Sequence, residues 1–161
     1  MRNTRKQVVT LLALLMGLSS GGTAQVEKVA MRTTGISCGI CAGLSEIYFR
    51  RLSGVDHVKI SLKNEAIMLT YKPDAQFDPG AVRKILEPLK VGVTQFQISA
   101  RGQVSEVGGQ RFFQAGKDKF LILDAIDSPM LPLNTPLQVE GILFDRERPM
   151  ELKVLTVTPP H

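Results

Sequence analysis

The sequence predicts an α+β protein in two parts, a βαββαβ unit over residues 25–100 and a run of short β-strands over residues 101–161. Three observations lead to this prediction. Two stretches carry apolar residues at helical spacing, and stretches in which apolar and polar residues alternate lie on either side of them. After residue 101 no stretch has helical periodicity, and glycine and proline residues interrupt the chain at short intervals.

The N-terminal residues have the pattern of an export signal. Three basic residues precede an apolar run over residues 8–18, and small residues follow it up to Ala24. A run this short does not span a bilayer, so the pattern predicts a signal peptide over residues 1–24 that is cleaved after Ala24. We therefore expect a periplasmic or secreted protein that has no stable membrane insertion after cleavage.

The leader also accounts for much of the basic charge. The whole chain has a formal net charge of +5, but residues 1–24 hold three basic residues and no acidic one, which leaves +2 for the remainder. The mature chain lacks a strong basic excess, has no tryptophan and contains few aromatic residues. These features disfavour a nucleic acid as the ligand.

The first unit is predicted element by element. Residues 26–34 read as a strand, and apolar residues at helical spacing predict a helix over about 39–52, after which Ser53 and Gly54 end it. Apolar residues alternate over 57–62, and a turn leads to a further strand over 65–71. The residues that give the first helix its helical spacing are Ile40, Leu44, Ile47, Tyr48 and Leu52.

A second helix and a last strand complete this unit. Asp78 is placed as the N-cap and Pro79 as the first helical residue, and four apolar residues form a stripe along the helix. Gly92 is expected to end the helix, and alternation over 96–100 predicts a strand. The order βαββαβ is that of a ferredoxin-like sandwich.

The second part is predicted to be a small OB-like β-barrel of five strands. Two strands flank Gly108 and Gly109 as a hairpin, a third lies over 119–125, and two more lie over 137–144 and 150–158. Three prolines mark residues 126–136 as a loop. No linker sequence separates the two parts, so a single strand over 96–107 can enter both.

Two cysteines, Cys38 and Cys41, are the only thiols in the chain, and they lie where a loop meets the first helix. Two thiolates at this spacing can face one ion, and they suit ions such as Cu(I) or Hg(II) that accept few sulfur ligands. Zinc usually takes four ligands, and the chain offers no other convincing candidates. The helix N-terminus predicts a lowered pKa for Cys41. Taken alone, the pair is compatible with metal binding, a redox-active dithiol or a structural disulfide, and an exported location favours the disulfide.

Residues 26–100 resemble the heavy-metal-associated domain of copper chaperones, metal-transporting ATPases and periplasmic mercury-binding proteins. The resemblance rests on three local motifs in the same order as in that family. They are Gly35-Ile36-Ser37-Cys38-Gly39-Ile40-Cys41, Gly54-Val55-Asp56-His57-Val58 and Tyr71-Lys72-Pro73. The chain departs from the family at Val93, where members often carry tyrosine, phenylalanine or lysine, and Lys90 is a nearby charge that could substitute.

The resemblance implies a function. Cys38 and Cys41 would be the two metal ligands, and Ile36 would be a core residue in the place of the family's methionine. The protein would hold Cu(I), or alternatively Hg(II) or Zn(II), and pass the ion to or from a partner protein. No nucleophile–histidine–carboxylate set, phosphate-binding loop or catalytic pair of carboxylates is recognisable, so we expect no enzyme.

Two other functions stay open from the sequence. The first is a thiol–disulfide redox or sensing protein that uses the same cysteines, and the second is an interaction module with a structural disulfide. In the barrel, Arg111, Phe112, Phe113 and Phe120 are candidates for a binding face. Because neighbouring strand residues point to opposite sides, one of Phe112 and Phe113 is expected in the core.

Overall fold

The computed structural model describes residues 24–124 and 129–159. The leader over 1–23, part of the proline-containing loop and the C-terminal His161 lie outside the described residues. Neither helix in the described part is long and apolar enough to cross a membrane. The elements are β1 (Gln25–Thr34), α1 (Gly39–Arg50), β2 (Val55–Ser61), β3 (Ala66–Tyr71), α2 (Pro79–Leu86), β4 (Gly92–Val107), β5 (Gln110–Ala115), β6 (Asp118–Ile122), β7 (Pro136–Phe144) and β8 (Glu151–Thr158).

The α+β class and the βαββαβ order are confirmed. Strands β2, β3, β1 and β4 lie side by side in that order, and the three pairings between neighbours are antiparallel. The predicted cap of α2 is also confirmed, because the Asp78 carboxylate accepts from the backbone N–H groups of Gly80 (2.8 Å) and Ala81 (3.2 Å). This cap satisfies two of the donors that a helix start leaves free.

The end of α2 differs from the prediction. The helix stops at Leu86, a short 3-10 turn follows over Glu87–Leu89, and Lys90 adopts a positive φ of 55°. The predicted breaker, Gly92, is already the first residue of β4. Pro88 explains the earlier stop, because proline has no backbone N–H to continue the helical hydrogen bonds and its ring clashes with the carbonyl four residues earlier.

Strand β4 is shared by both parts of the chain. On one edge it pairs with β1 along Gly92–Arg101 and then with β5 along Gln103–Val107, and on the other edge it pairs with β7 along Phe96–Gln103. The boundary predicted between residues 100 and 101 therefore falls in the middle of a continuous strand. All eight strands belong to one sheet.

Strands β4 to β8 also pair in a ring. Their order is β4-β5-β6-β8-β7, and β7 pairs again with β4. The pairing of β6 with β8 is parallel, whereas the other four are antiparallel. The side chains of Phe113 and Phe120, which are cross-strand partners, are fully buried. Of the two adjacent phenylalanines, Phe113 is thus the core residue and Phe112 the outer one.

Candidate metal-binding site

The two cysteines lie at the start of α1. Cys38 is the N-cap residue with extended backbone angles (φ −118°, ψ 145°), and its Sγ accepts from the backbone N–H of Cys41 at 3.1 Å. The sulfur therefore takes the position that an oxygen of serine or aspartate occupies in an ordinary cap. Both thiols are free, Cys38 is exposed and Cys41 is partly exposed. An ion or a partner can reach both sulfur atoms from solvent.

The loop before the cysteines is held by one glycine and one buried side chain. Gly35 has a φ of +87°, and a Cβ at this position would lie 2.9 Å from the backbone oxygen of Lys90. Ile36 is completely buried in the core. Anchored in this way, the loop presents Ser37, Cys38 and Gly39 as exposed residues.

The two thiols differ in pKa, and the difference is opposite to the prediction made for Cys41. The pKa of Cys38 is lowered because its sulfur accepts hydrogen bonds, first from the Cys41 thiol and then from the Cys41 backbone N–H. The pKa of Cys41 is raised, chiefly because its thiol is the donor to Cys38 and also because it is partly desolvated. The N-cap position, rather than the first helical turn, receives the stabilising donors.

Residues at the start of β4 lie beside the cysteine loop. Thr34 is the register partner of Gly92, and Thr33 is the partner of Val93. Val93 is partly buried against the core, so the side chain that departs from the family pattern packs as an apolar residue. Lys90 is exposed, and its backbone oxygen faces Gly35.

The histidine of the second family-like motif does not lie with the cysteines. His57 lies in β2, which begins after the far end of α1, and its Nδ1 is 2.6 Å from the Asp56 carboxylate. Within residues 24–124 and 129–159 no group of three or more His, Cys, Asp and Glu side chains is arranged to hold a metal ion.

The proposed barrel face is only partly assembled. The Lys119 ammonium lies 4.2 Å from the ring centroid of Phe112, and Arg111 forms an ion pair with Asp124. Phe113 and Phe120 face inward and cannot contribute to such a surface. Lys119 and Phe112 therefore form a cation–π pair with each other on the surface of β5 and β6.

The sequence did not reveal two features of the described residues. The first is an exposed apolar face on α1, formed by Ile40, Leu44, Ile47 and Tyr48. The second is the link between Arg83 in α2 and Asp145 after β7, which lies behind the start of β4. The apolar spacing on α1 predicted a helix, but it did not show that these residues face solvent. Arg83 and Asp145 are 62 positions apart in the sequence, and no local pattern predicts a contact between them.

No protein-family model matches the chain. The chain is 38% identical over 55 residues to copper-transporting ATPase 2 of Rattus norvegicus and 40% identical over 50 residues to copper-transporting ATPase 2 of Homo sapiens. These matches cover 34% and 31% of the chain, and they span 4% and 3% of the length of the two relatives. The similarity to copper-transporting ATPases thus extends over about a third of the chain.

Two solved structures each align with 42% of the chain. A structure titled CopZ metallochaperone aligns over 98% of its own length with a TM-score of 0.38 and 21% identity. The yeast copper transporter domain Ccc2a aligns over 90% of its length with a TM-score of 0.37 and 22% identity.

Proposed function

We propose that this chain is an exported, metallochaperone-like protein that holds one Cu(I) ion on Cys38 and Cys41 and passes it to a partner protein. The observation that carries the proposal is the pair of free, solvent-accessible thiols at the start of α1, one of them the N-cap. The sequence similarity to copper-transporting ATPases supports copper as the ion. Hg(II) and Zn(II) are the ions to compare with it.

The chemistry of the pair suits a soft monovalent ion. Thiolate is a soft ligand that favours Cu(I), and the two sulfur atoms belong to one helix start where negative charge is stabilised. The Cys41 N–H that donates to Cys38 Sγ can continue to donate to a metal-bound thiolate, because a ligating sulfur keeps lone pairs. The protein's contribution is therefore to hold two sulfur donors on a fixed turn and to stabilise their charge.

Transfer needs no acid or base from this chain. A thiolate of the partner would form a sulfur–copper bond while one bond from Cys38 or Cys41 to copper breaks, and a second exchange would release the ion. Copper remains Cu(I) throughout, and each released sulfur leaves as a thiolate. The exposed apolar side chains on α1, with Ile40 78% exposed beside the thiols, would support the docking of such a partner.

We propose that strands β4 to β8 form the small OB-like barrel expected from the sequence and that it is a rigid mount for the cysteine-bearing part. The ring of pairings and the shared strand β4 support this assignment. Contacts across the two parts also support it. For example, the Arg101 guanidinium in β4 is bonded to Glu27 in β1 (Nε–Oε1 2.6 Å), and Glu27 accepts from Gln138 in β7 (3.3 Å).

The export proposal has its own test. Strand β1 begins at Gln25, so cleavage after Ala24 would leave the whole sheet intact. The intact mass of the protein recovered from the periplasm or medium of a suitable host should correspond to a chain that begins at Gln25. A chain recovered with its leader inside the host would contradict export.

Titration of the reduced protein with Cu(I) against a chromogenic Cu(I) chelator tests the metal site. We expect one ion per chain, and we expect this binding to be lost in the double variant Cys38→Ser, Cys41→Ser. A His57→Ala variant is the matched control. It removes a side chain that can bind copper but lies away from the cysteine loop, so it should bind Cu(I) as the unmodified protein does. Failure to bind, or binding that persists without the cysteines, would refute the proposal.

A further inference from the structure

Arg83 in α2 joins three parts of the molecule at once. Its guanidinium makes a two-pronged ion pair with Asp145 in the β7–β8 turn, with both N–O distances at 2.9 Å. A third N–H, on Nη1, donates to the backbone oxygen of Val93 in β4 at 2.9 Å. The guanidinium carbon also lies 5.0 Å from the ring centroid of Phe96. Three N–H groups and one neighbouring ring therefore hold the guanidinium, although the Arg83 side chain as a whole is 41% exposed.

This arrangement differs from an ordinary surface ion pair. The Asp145 side chain is only 13% exposed, and a two-pronged pair fixes the orientation of the guanidinium as well as its distance. An exposed pair with one contact contributes little because both side chains stay mobile. Because the same guanidinium also donates to the Val93 backbone oxygen, the orientation that Asp145 gives to Arg83 affects the position of Val93.

Val93 is directly connected to the cysteine loop. It is the register partner of Thr33, and its neighbour Gly92 is the partner of Thr34, the residue before Gly35. The two strands approach closely here, since a Cβ on Gly92 would lie 2.8 Å from the Thr34 hydroxyl oxygen. On the far side, Gly35 meets the backbone of Lys90. A shift at the start of β4 must therefore move the residues that lead to Cys38.

We infer that Arg83 is a positioning residue for the cysteine loop, residues 35–41. Asp145, on the barrel side, holds Arg83 in the orientation that keeps this loop in place. The inference rests on the proposed function, because it assigns to the barrel a role in setting the geometry of the same two sulfur atoms. The route runs from Asp145 through Arg83 to the Val93 backbone, and from there across the β4–β1 pairing to the loop. Neither residue contacts the thiols.

The first readout uses metal-free, reduced protein. In Asp145→Asn and Arg83→Met variants, the amide NMR signals of residues 35–41 should move relative to the unmodified protein. The matched control is Asp124→Asn, which breaks the Arg111–Asp124 pair on the barrel and should leave those signals in place. Because Asn has the shape of Asp, the Asp145→Asn variant should stay folded, and its thermal unfolding curve checks this.

The second readout is Cu(I) affinity in the chelator competition. We expect roughly tenfold weaker binding in both variants, the lower end of the effect known for residues that orient metal ligands. An Arg83→Lys variant keeps the charge but cannot hold Asp145 and Val93 together, so it should behave like Arg83→Met. Since the two residues act on one route, the double variant should be no weaker than Arg83→Met alone.

The outcomes separate this inference from the proposed function. If the loop signals stay in place in the folded Asp145→Asn and Arg83→Met proteins, or move equally in Asp124→Asn, the positioning role is refuted. If the unmodified protein binds no Cu(I), the proposed function fails, and the metal-free NMR comparison still decides whether Arg83 positions the loop.

Discussion

At the scale of single residues, the two cysteines of the site have different chemical roles. Cys38 accepts hydrogen bonds at the N-cap, chiefly from the thiol and the backbone N–H of Cys41 and also from the backbone N–H of Ile40. The expectation that a thiol in the first helical turn is the more acidic one failed, chiefly because the Cys41 thiol donates to Cys38, and also because backbone donors at the helix start point to the cap residue. The helix start itself was predicted correctly at residue 39, and what the sequence did not show was which thiol donates to the other.

This asymmetry predicts selective alkylation. The thiolate is the reactive form, so iodoacetamide at near-neutral pH should modify Cys38 faster than Cys41 in the metal-free reduced protein. As the pH falls, the rate at Cys38 should decline later than the rate at Cys41, since the pKa of Cys38 is the lower one. Peptide mass spectrometry gives both rates, and the urea-unfolded chain, in which the rates should converge, is the control. Faster modification of Cys41 would contradict the assignment.

Asp118 is a buried titratable residue away from the site. Its side chain is 2% exposed, Oδ2 accepts from the backbone N–H of Phe77 (3.1 Å), and Oδ1 has no hydrogen-bond partner. Burial raises the pKa of Asp118 to about 6, against the lowering effect of the hydrogen bonds from Phe77 and Gln76. Asp118 begins β6 and Phe77 precedes α2, so this carboxylate lies between the two parts of the molecule.

The raised pKa predicts a pH-dependent stability with an unusual sign. The folded state favours the protonated acid, so the contribution of Asp118 to stability is present at low pH and is lost as the pH rises through about 6. From pH 4.5 to 7.5 the free energy of unfolding should fall by about 2 kcal/mol relative to an Asp118→Asn variant, which does not titrate. Urea unfolding of both proteins at the two pH values measures this. Parallel pH dependences would contradict it.

At the scale of elements, α1 has two apolar faces. Phe49 is fully buried together with Ser45, while most of the residues whose spacing predicted the helix lie on the exposed side. Periodicity identified the helix correctly, but it cannot choose between two apolar faces when a small polar residue such as Ser45 occupies the packed one. The strands had clearer signals, because turn residues such as Asn64, Gly108 and Gly109 bracket them.

The two faces of α1 predict different mutational effects. Phe49→Ala should lower the free energy of unfolding by about 3–5 kcal/mol, because it removes a buried ring and leaves a cavity. Ile47→Ala should change it by less than about 0.5 kcal/mol, since Ile47 is 48% exposed. Chemical denaturation of both variants provides the comparison. A large loss at Ile47 would show that this face is packed in solution.

At the scale of the whole molecule, the strand order and the sharing of β4 went beyond what the sequence could predict. Local patterns located nearly every strand, and the lack of a linker allowed a shared strand. The pairing of β7 with the second edge of β4 joins residues about 40 positions apart, and no local pattern specifies such a contact. The contacts of Asp118 and Arg83 are equally non-local and depend on how the two parts meet.

This architecture predicts a single unfolding transition. Strand β4 contributes to the core on both sides, and one continuous cluster of buried apolar residues includes residues of both parts. Thermal unfolding of residues 25–161 should therefore be cooperative, with coincident transitions by circular dichroism and tyrosine fluorescence. A fragment of residues 25–100 should melt at a lower temperature than the whole. Two separate transitions, or an equally stable fragment, would show that the parts fold independently.

The central claim is that Cys38 and Cys41 together hold one soft metal ion. X-ray absorption at the copper edge of the Cu(I)-loaded protein tests it most directly, because the method identifies the ligand atoms. We expect a Cu(I) edge with sulfur ligands only, and loss of this signal in the Cys38→Ser, Cys41→Ser variant. Copper bound through nitrogen or oxygen ligands, or the same sulfur signal without these cysteines, would contradict the account.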